Sequence, residues 1–368
     1  MAAFVGTTMT FAIGGNHVTG TVKYIGPLAE DRSGEAWLGV ELSEPVGRHS
    51  GRRYFECAER HGLFVKASTA AAAGVNAQPS APQRGPLYMQ YESGMRAAAS
   101  AAGVAFVTPP PQQLGAGDAL ILIDCQYDFL PGGAFGVPEG TDVLGPLAGL
   151  LTAGAAAGAT VVLTRTYHPH DHASFRSQGG PFPPHCLQGG RGSKLAAPIA
   201  AAAAAARKAS PGRVEVAFKG YHRDVDSFGC FEYPEALAEG RLVQRPPPQP
   251  CSLLSWTGGA LLTCSAIDED VNAPPDVLGH EDKRSLAARL GRTRALFIGG
   301  LALDFCVVDS ALTARAAGFE HVYVILDCSR ASHVPPVGFL TPPAELWTKL
   351  HKGGVNICLV GDVFPGKS

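Results

Sequence analysis

Short apolar runs alternate with helix-like stretches from Asp118 onward, and this alternation constrains the fold more than any other feature of the chain. The runs are apolar at successive positions, which is typical of strands that are buried on both faces of a parallel sheet. Parallel strands need a crossover between them, usually a helix. We therefore predict an α/β domain over 118–368, with strands at 119–124, 160–165, 214–218, 295–299, 322–326 and 355–360 and helices at 143–157 and 196–206.

The first 68 residues have a different pattern. Turn residues recur every few positions, and β-branched or aromatic residues lie between them, as in 18–25 and 37–42. This pattern predicts a small β-barrel or sandwich. The segment 69–117 is rich in Ala, Pro, Gly, Ser and Gln, which predicts a linker with room for one short helix. A second irregular segment at about 233–279 predicts a loop inserted into the α/β domain.

The composition disfavours several classes of partner. The chain has 368 residues, of which 46% are hydrophobic, and its formal net charge of -2 offers no attraction for nucleic acid. The N-terminal residues lack the pattern of a signal peptide, and no apolar stretch reaches spanning length, so we expect a soluble cytoplasmic protein without membrane contact. Nine cysteines without CxxC spacing predict reduced thiols rather than a disulfide framework or a structural zinc cluster.

Three polar residues lie at or after the ends of predicted strands, where α/β sheets bind their ligands. Asp124 ends the first strand, Lys219 follows the third, and Cys306 lies between the strand at 295–299 and an alanine-rich helical pattern. A thiol becomes a nucleophile when a base takes its proton and a nearby cation stabilises the anion. We therefore predict a triad of Asp124, Lys219 and Cys306. Taken singly, each has a simpler interpretation as a capping aspartate, a solvated lysine or a buried cysteine.

Six motifs surround this triad in a characteristic order. They are 124–133, 167–172, 183–186, 219–220, 226–231 and 300–306. The order resembles that of the nicotinamidases, which belong to the isochorismatase-like cysteine hydrolase family. The resemblance covers 118 to about 362 apart from the insertion, and it implies a doubly wound sheet. It also implies that Asp124 is the base, Lys219 the electrostatic partner and Cys306 the nucleophile.

The same resemblance implies further parts of the site. A cis peptide is expected between Leu301 and Ala302, and the backbone amides of Ala302 and Cys306 are expected to form an oxyanion hole. The implied reaction is hydrolysis of nicotinamide to nicotinate and ammonia through a thioester. The aromatic residues at the positions that pack against a flat substrate ring are Phe129, Phe182 and Phe228.

Three histidines have the spacing of a metal site. His168, His172 and His185 are predicted to converge on one divalent cation, and three histidines with open positions can hold catalytic zinc. Family nicotinamidases place an aspartate two residues before the first of these histidines, whereas Thr166 stands here. Because a threonine hydroxyl is a weak, neutral ligand, we expect a weakened zinc site. The alternative is that the histidines are surface loop residues.

The N-terminal residues 10–68 resemble a CAP-Gly domain, a small barrel that binds acidic, aromatic-ended tails of tubulin and of microtubule plus-end proteins. The resemblance is carried by 20–27, 37–42, 53–57 and 61–65. Such a tail needs an aromatic slot beside cations, and the candidate residues are Trp37, Arg48, Arg52 and Phe55. The family's Gly-Lys-Asn-Asp-Gly loop reads Gly-Arg-His-Ser-Gly at 47–51, so a cation is kept at Arg48 while the Asn and Asp are replaced.

Together these features predict a microtubule-associated protein that carries a nicotinamidase-like hydrolase, on cytoplasmic microtubules or in a ciliary axoneme. One alternative is a scaffold protein with a weak or inactive hydrolase domain. Others are an amidohydrolase of the same family that acts on another small amide, or an isochorismatase-type enzyme. Asp124, Lys219 and Cys306 argue against the scaffold, since folding does not require them. The oligomeric state stays open, with a homo-oligomer among the alternatives.

Overall fold

The computed structural model forms two compact units, Met1–Ala81 and Pro82–Ser368. It describes residues 8–13, 16–26, 28, 30–31, 37–51, 54–66, 82–234, 242–244, 260–264, 271–274, 281–282 and 285–364.

The first unit contains a four-stranded antiparallel sheet with the strand order β1-β2-β3-β4, where β1 is Thr8–Ile13, β2 Asn16–Gly26, β3 Trp37–Leu42 and β4 Gly62–Lys66. Side chains of a strand alternate between its two faces. Leu38, Val40 and Leu42 of β3 therefore lie on one face and pack with the buried Val18 and Val22 of β2. The predicted small all-β domain is confirmed.

The second unit is built on an eight-stranded sheet with the order β11-β10-β7-β6-β5-β12-β13-β16. Its strands are β5 (Ala119–Ile123), β6 (Thr160–Thr166), β7 (Val214–Lys219), β10 (Ala260–Cys264), β11 (Glu281–Asp282), β12 (Leu296–Leu301), β13 (Val322–Arg330) and β16 (Asn356–Cys358). Six strands, from β7 to β16 in this order, are parallel, and β10 and β11 form an antiparallel edge.

Helices cover both faces of this sheet. They are α1 (Pro86–Ala101), α2 (Leu144–Ala156), α3 (Ala197–Ala209), α4 (Leu286–Leu290), α5 (Val308–Ala316), α6 (Pro343–Lys352) and α7 (Val360–Val363). Ile298 of β12 belongs to the core that α1, α5 and α6 share, whereas a side chain on the next residue, Gly299, would meet Leu147 of α2. Because neighbouring strand residues point to opposite faces, the two groups of helices lie on opposite sides. The predicted doubly wound α/β fold is confirmed.

Helix α1 corrects the predicted domain boundary, because it lies inside the segment 69–117 that we expected to be a linker. Its Tyr88, Tyr91 and Met95 are buried in the core of the second unit. Both carboxylate oxygens of Glu139 accept hydrogen bonds at 2.9 Å from backbone N–H groups in its first turn, which satisfies two of the donors that a helix start leaves open. The second unit therefore begins at Pro82, and not at 118, because an apolar stripe at helical spacing is hidden in this Ala- and Gly-rich stretch.

The segment 233–279 is more ordered than a simple loop where the structure describes it. Here β9 (Leu242–Gln244) pairs with β8 (Val225–Ser227), and β10 extends the central sheet by pairing with β7. The rest of this predicted insertion, 235–241, 245–259, 265–270 and 275–279, lies outside the described residues. A short hairpin of β14 (His333–Val334) and β15 (Gly338–Phe339) follows β13.

Two further observations complete the description. The predicted strand at 355–360 is shorter than expected, since β16 ends at Cys358 and α7 follows. Among the described residues, no helix combines the length and the apolar character needed to cross a membrane.

Candidate active site

A cavity of about 530 Å³, measured with its open mouth, lies at the carboxyl ends of β5, β6, β7 and β12. Thr166, Ala302 and Cys306 line it. Asp124 and Lys219 lie directly behind this lining and are completely buried, with exposures of 0% and 1%. The structure therefore places all four predicted catalytic residues at one end of the sheet.

The three predicted triad residues meet in this place. Lys219 Nζ is 2.6 Å from Asp124 Oδ2 and donates a hydrogen bond to the carbonyl oxygen of Phe228 at 2.7 Å. Both charged groups are close enough to the Cys306 thiol to influence its pKa. Cys306 lies in the turn Leu303–Val307, between β12 and α5, and the chain reaches this turn through a cis peptide between Leu301 and Ala302.

Two threonines of β6 hold the Asp124 carboxylate on the other side. Thr164 Oγ1 donates to Asp124 Oδ1 at 2.6 Å and accepts the backbone N–H of Asp124 at 2.9 Å. Thr166 Oγ1 donates to Asp124 Oδ2 at 3.3 Å. The carboxylate is thus fixed by two hydroxyl groups and one ammonium group, and it has a defined orientation toward the thiol.

The protonation of this cluster follows from its burial. Burial raises the pKa of Cys306 well above its ordinary value; Lys219 counteracts the shift, and the nearby Asp124 carboxylate adds to it. Burial by itself lowers the pKa of Lys219, but the Asp124 carboxylate and Cys306 outweigh this effect, so the pKa of Lys219 is raised. The resting site therefore holds a neutral thiol beside an ammonium–carboxylate pair. A thiol in this arrangement becomes a nucleophile when the neighbouring base takes its proton.

Aromatic rings form the walls of the cavity. The predicted Phe129, Phe182 and Phe228 all line it. Phe182 and Phe228 have ring centroids 6.0 Å apart. Two more phenylalanines that the sequence reasoning missed, Phe135 and Phe305, also line the cavity, and they pack edge-on against Phe182 at 5.5 Å and Phe228 at 5.3 Å.

The predicted metal-binding histidines form a cluster at one wall of the cavity. The ring centroid of His168 is 3.9 Å from that of His172 and 4.9 Å from that of His185. The rings of His168 and His185 have fixed orientations, because their Nδ1 atoms lie 2.9 Å from the carbonyl oxygens of Gly220 and Pro183. All three are buried, so the alternative of exposed loop histidines is wrong.

A carboxylate that was not predicted as a ligand joins this cluster. Ligand atoms of His168, His172 and Asp226 all lie within 4.8 Å of one another, whereas His185 is outside this group. Burial, and then the neighbouring His172, lower the pKa of His168 well below its ordinary value, so its imidazole is neutral and can act as a ligand. Buried imidazole and carboxylate donors are the ligands that zinc and similar divalent ions use. The residues present therefore fit a divalent cation.

The outer face of the first unit carries an aromatic cluster. Phe64 of β4 has its ring centroid 5.6 Å from Phe55, 5.4 Å from Tyr54 and 4.7 Å from His49. Tyr24 of β2 adds to this cluster, 4.9 Å from Tyr54. Of the predicted tail-binding residues, Phe55 thus lies in the cluster.

The other predicted tail-binding residues are more scattered. Trp37 donates a hydrogen bond from Nε1 to Asp31 at 2.6 Å, and Lys66 Nζ lies 5.5 Å from its ring centroid. Among the described residues, Trp37 has no ring contact with the aromatic cluster. Arg48 is exposed in the altered loop, and Arg52 lies outside the described residues.

Sequence patterns give only partial information on the site residues that were not predicted. Thr164 and Thr166 lie two residues apart on β6, so alternation predicts that they share one face of the strand. The register pairs Leu122 with Leu163, and Asp124 lies past the end of β5 with a φ of +47°, so strand alternation alone does not bring its carboxylate to that face. Asp226 lies in one of the motifs that carry the resemblance, but nothing in its spacing links it to the histidines. The aromatic cluster depends on a loop residue, Phe55, that packs over Gly39 of β3, and strand patterns do not report such contacts.

Known proteins and families match the two units separately. The family model for the CAP-Gly domain matches residues 5–70. The family model for the isochorismatase domain matches residues 118–209. The N-terminal part is 43% identical over 53 residues to the cell polarity protein alp11 of Schizosaccharomyces pombe, a match that covers 13% of this chain and 23% of that protein.

The second unit is similar to nicotinamidases. The nicotinamidase of Escherichia coli (strain K12) is 29% identical over 233 residues, which covers 59% of this chain and 85% of the bacterial protein. Among solved structures, the pyrazinamidase of Pyrococcus horikoshii in complex with zinc is 24% identical and has a TM-score of 0.44, covering 66% of this chain and 99% of that one. The chain thus joins a CAP-Gly domain to an isochorismatase domain that is similar in sequence to nicotinamidases.

Proposed function

We propose that the second unit hydrolyses nicotinamide to nicotinate and ammonia, with Cys306 as the nucleophile. The observation that carries this proposal is the buried contact between Asp124 and Lys219 next to Cys306 at the base of an aromatic cavity. A buried ammonium–carboxylate pair beside a thiol is costly to desolvate and brings little net stability. A catalytic role explains the presence of this ion pair, because the carboxylate can take the proton of the thiol and the ammonium group can stabilise the resulting sulfur anion.

In the first half of the reaction, the Cys306 sulfur attacks the carbonyl carbon of the amide while Asp124 takes the thiol proton. Lys219 stabilises the negative charge that develops on sulfur. The carbonyl oxygen becomes an oxyanion, and the backbone N–H groups of Ala302 and Cys306 are the proposed donors to it. When the C–N bond breaks, the departing nitrogen takes the proton from Asp124, so ammonia leaves and a thioester remains.

In the second half, a water molecule attacks the thioester carbonyl. Asp124 takes a proton from this water and passes it to the Cys306 sulfur as the C–S bond breaks. Nicotinic acid leaves and loses its proton to bulk water to become nicotinate, and both side chains return to their starting states. Every proton moves between the substrate, water, Asp124 and Cys306, so no further reactant is needed.

The cavity walls support a flat aromatic amide as the substrate. Phe129, Phe182 and Phe228 offer ring faces and edges, and an aromatic ring that packs against them gains about 0.5–1.5 kcal/mol per pair beyond its burial. His168, His172 and Asp226 are the residues that would hold zinc, and the predicted ligand His185 lies beside them. When bound, zinc would supply a Lewis acid at the side of the cavity, where it could bind the pyridine nitrogen directly or through water.

An ammonia-release assay with a panel of amides tests the proposal. Nicotinamide and benzamide form the matched pair, since they differ only in the pyridine nitrogen, and a small aliphatic amide tests the need for a ring. We expect release from nicotinamide that exceeds release from benzamide, and none from the Cys306→Ala variant. Equal release from the wild type and from Cys306→Ala would exclude the thioester mechanism. If a zinc-loaded wild type released no ammonia from any amide, the scaffold alternative would be favoured.

For the first unit we propose binding to the acidic C-terminal tails of tubulin on microtubules. The exposed Arg48 and the half-buried Phe55 and Phe64 offer a cation beside aromatic surface, which suits an acidic tail with an aromatic end. Recovery in a pelleting assay should fall when the microtubule tails have been removed by protease. Equal recovery with intact and cleaved microtubules would contradict tail recognition. This unit would localise the hydrolase on cytoplasmic microtubules or in an axoneme.

A further inference from the structure

We propose that Asp226 supplies the carboxylate ligand of the divalent-metal site, while Thr166 positions the base Asp124. Position 166 is where family nicotinamidases carry an aspartate, so the inference describes a relocation of the acidic ligand from β6 to β8. The part that concerns Asp226 depends on metal binding alone. The part that concerns Thr166 rests on the proposed hydrolysis.

The side chain of Thr166 is hydrogen-bonded to the Asp124 carboxylate. Its hydroxyl donates to Asp124 Oδ2, the same oxygen that contacts Lys219. Its backbone is fixed as well, because the side chain of Gln126 accepts the N–H of Thr166 at 2.8 Å and donates to its carbonyl oxygen at 2.8 Å. A hydroxyl at this place completes the hydrogen bonds of Asp124, whereas a carboxylate would bring a second negative charge next to it.

The burial and position of Asp226 are those expected of a metal ligand. It is 7% exposed, and its Oδ1 lies 4.0 Å from His168 Nε2. That separation is too long for a hydrogen bond but no longer than two zinc–ligand bonds of about 2.0–2.2 Å, so one ion can contact both atoms. Oδ1 also accepts the backbone N–H of Ser227 at 2.8 Å. Within the described part of the chain, Oδ2 accepts no hydrogen bond, so this oxygen is available to a cation.

The backbone around Asp226 is shaped to keep His168 facing it. The carbonyl oxygen of Gly220 binds His168 Nδ1, so Nε2 remains for the ion, which is the usual way in which proteins orient a metal-binding histidine. Gly220 has a φ of +55°, and a side chain there would come within 2.2 Å of His168 Cε1 and 3.1 Å of Asp226 Oδ1. Glycine is therefore required for the imidazole and the carboxylate to approach each other.

His172 would complete a three-residue site. Its ring stacks on His168, with Nδ1 2.7 Å from Ser174 Oγ and Nε2 3.2 Å from the carbonyl oxygen of Val225. Binding through Nε2 exchanges the contact with Val225 for the ion and leaves Ser174 to orient the ring. Asp226 follows Val225 directly, so one short segment carries both the carboxylate and the carbonyl group that is exchanged.

Zinc binding to the full chain tests the role of Asp226 without any activity measurement. The protein is stripped with a chelator, reloaded with zinc and analysed for metal content, and cobalt(II) is titrated while its visible absorption is recorded. We expect the wild type to bind one ion and Asp226→Asn to bind at least about tenfold more weakly, since even the outer partners of metal ligands change affinity by 10–100-fold. Asp224→Asn, which removes a more exposed carboxylate two residues earlier, should bind like the wild type.

The result that would overturn the assignment is wild-type affinity in Asp226→Asn. Failure of the wild type to bind zinc, cobalt or manganese would overturn it as well. Circular dichroism of Asp226→Asn separates lost binding from lost folding, and Asp226→Glu, which keeps the carboxylate, should recover part of the cobalt absorption.

Thr166→Val tests the second half of the inference. We expect zinc content like that of the wild type, a kcat for nicotinamide lower by about ten- to a hundredfold and a KM within about twofold, since the variant loses one hydrogen bond to a charged group. Thr166→Ser keeps the hydroxyl and should restore kcat. Loss of zinc from Thr166→Val would assign Thr166 to the metal instead. If the wild type releases no ammonia, the proposed hydrolysis and the role of Thr166 fail, and the zinc data still decide the role of Asp226.

Discussion

The cavity of the second unit and the outer face of the first unit differ in how their functional groups are held. Asp124 and Lys219 are fully buried and touch each other, so each depends on the other for its charge to be tolerated. Arg48 is exposed and Phe55 is half-buried, so water still reaches part of the surface that would bind a partner. The comparison teaches that a single substitution among the buried Asp124, Lys219 and Cys306 should abolish ammonia release, whereas a substitution on the outer face should lower the affinity for microtubules only in part.

Cys306→Ala should have the largest effect. Because it removes the proposed nucleophile, ammonia release from nicotinamide should fall by at least about a thousandfold, as it does when a triad nucleophile is removed. Microtubule pelleting of the same variant should not change. Cys328→Ala, which alters another fully buried cysteine that does not line the cavity, is the matched control and should retain activity. Loss of microtubule binding in Cys306→Ala would break the separation between the two units.

Lys219→Met should cost both activity and stability. It leaves the Asp124 carboxylate buried without its ammonium partner, and the removal of one member of a buried ion pair typically lowers the free energy of unfolding by about 3–5 kcal/mol. Urea denaturation measures this change. Lys349→Met removes a partly exposed ion pair with Glu345 and should lower the free energy of unfolding by less than about 1 kcal/mol. Equal costs for the two substitutions would show that the Asp124–Lys219 contact is not buried in solution.

Phe182→Ala should have an intermediate effect on substrate binding. The ring lines the cavity and contacts Phe135 and Phe228, so its removal should raise the KM for nicotinamide about tenfold, in line with about 1–1.5 kcal/mol for one lost aromatic contact. Steady-state kinetics measure the change. Phe106→Ala, which removes a ring that packs on Arg96 away from the cavity, should leave KM unchanged. A KM that does not respond to Phe182→Ala would remove this ring from the binding wall.

Arg48→Gln should have the smallest effect. The exposed guanidinium gains only a modest attraction to an acidic tail, so the affinity for microtubules should fall about two- to fivefold, and the difference should shrink at high salt. Pelleting at two ionic strengths measures both effects. Lys23→Gln removes a lysine that is already paired with Glu41 at 2.9 Å, and it should bind like the wild type. A complete loss of binding in Arg48→Gln would contradict the graded behaviour of this face.

The central sheet was predictable because strands that are buried on both faces have apolar residues at successive positions in the sequence. The predicted strands at 119–124, 160–165 and 214–218 match β5, β6 and β7 to within one residue at either end. Asp124, Lys219 and Cys306 could be placed together for the same reason, since parallel strands bring their carboxyl ends to one edge. Strands buried on both faces thus made the site predictable as well as the fold.

What could not be predicted depends on contacts between distant segments. Helix α1 is specified by a few apolar residues in a stretch whose composition resembles a linker. Asp226 approaches His168 through the turn at Gly220, and the backbone conformation of that turn is not visible in residue types. The contacts of Trp37 and Phe55 depend on how two loops fold back over β3. In each case the information lies in tertiary geometry and not in local periodicity.

The docking of α1 has a practical consequence for anyone who shortens this chain. A cut at Asp118, where the sequence pattern changes, would remove Tyr88, Tyr91 and Met95 from the core that they share with α6. The uncovered part of this core would be apolar, and exposed apolar patches of this kind promote aggregation. A catalytic fragment that stays in solution should therefore start no later than Pro82 and keep Glu139, so that the opening turn of the retained helix stays capped.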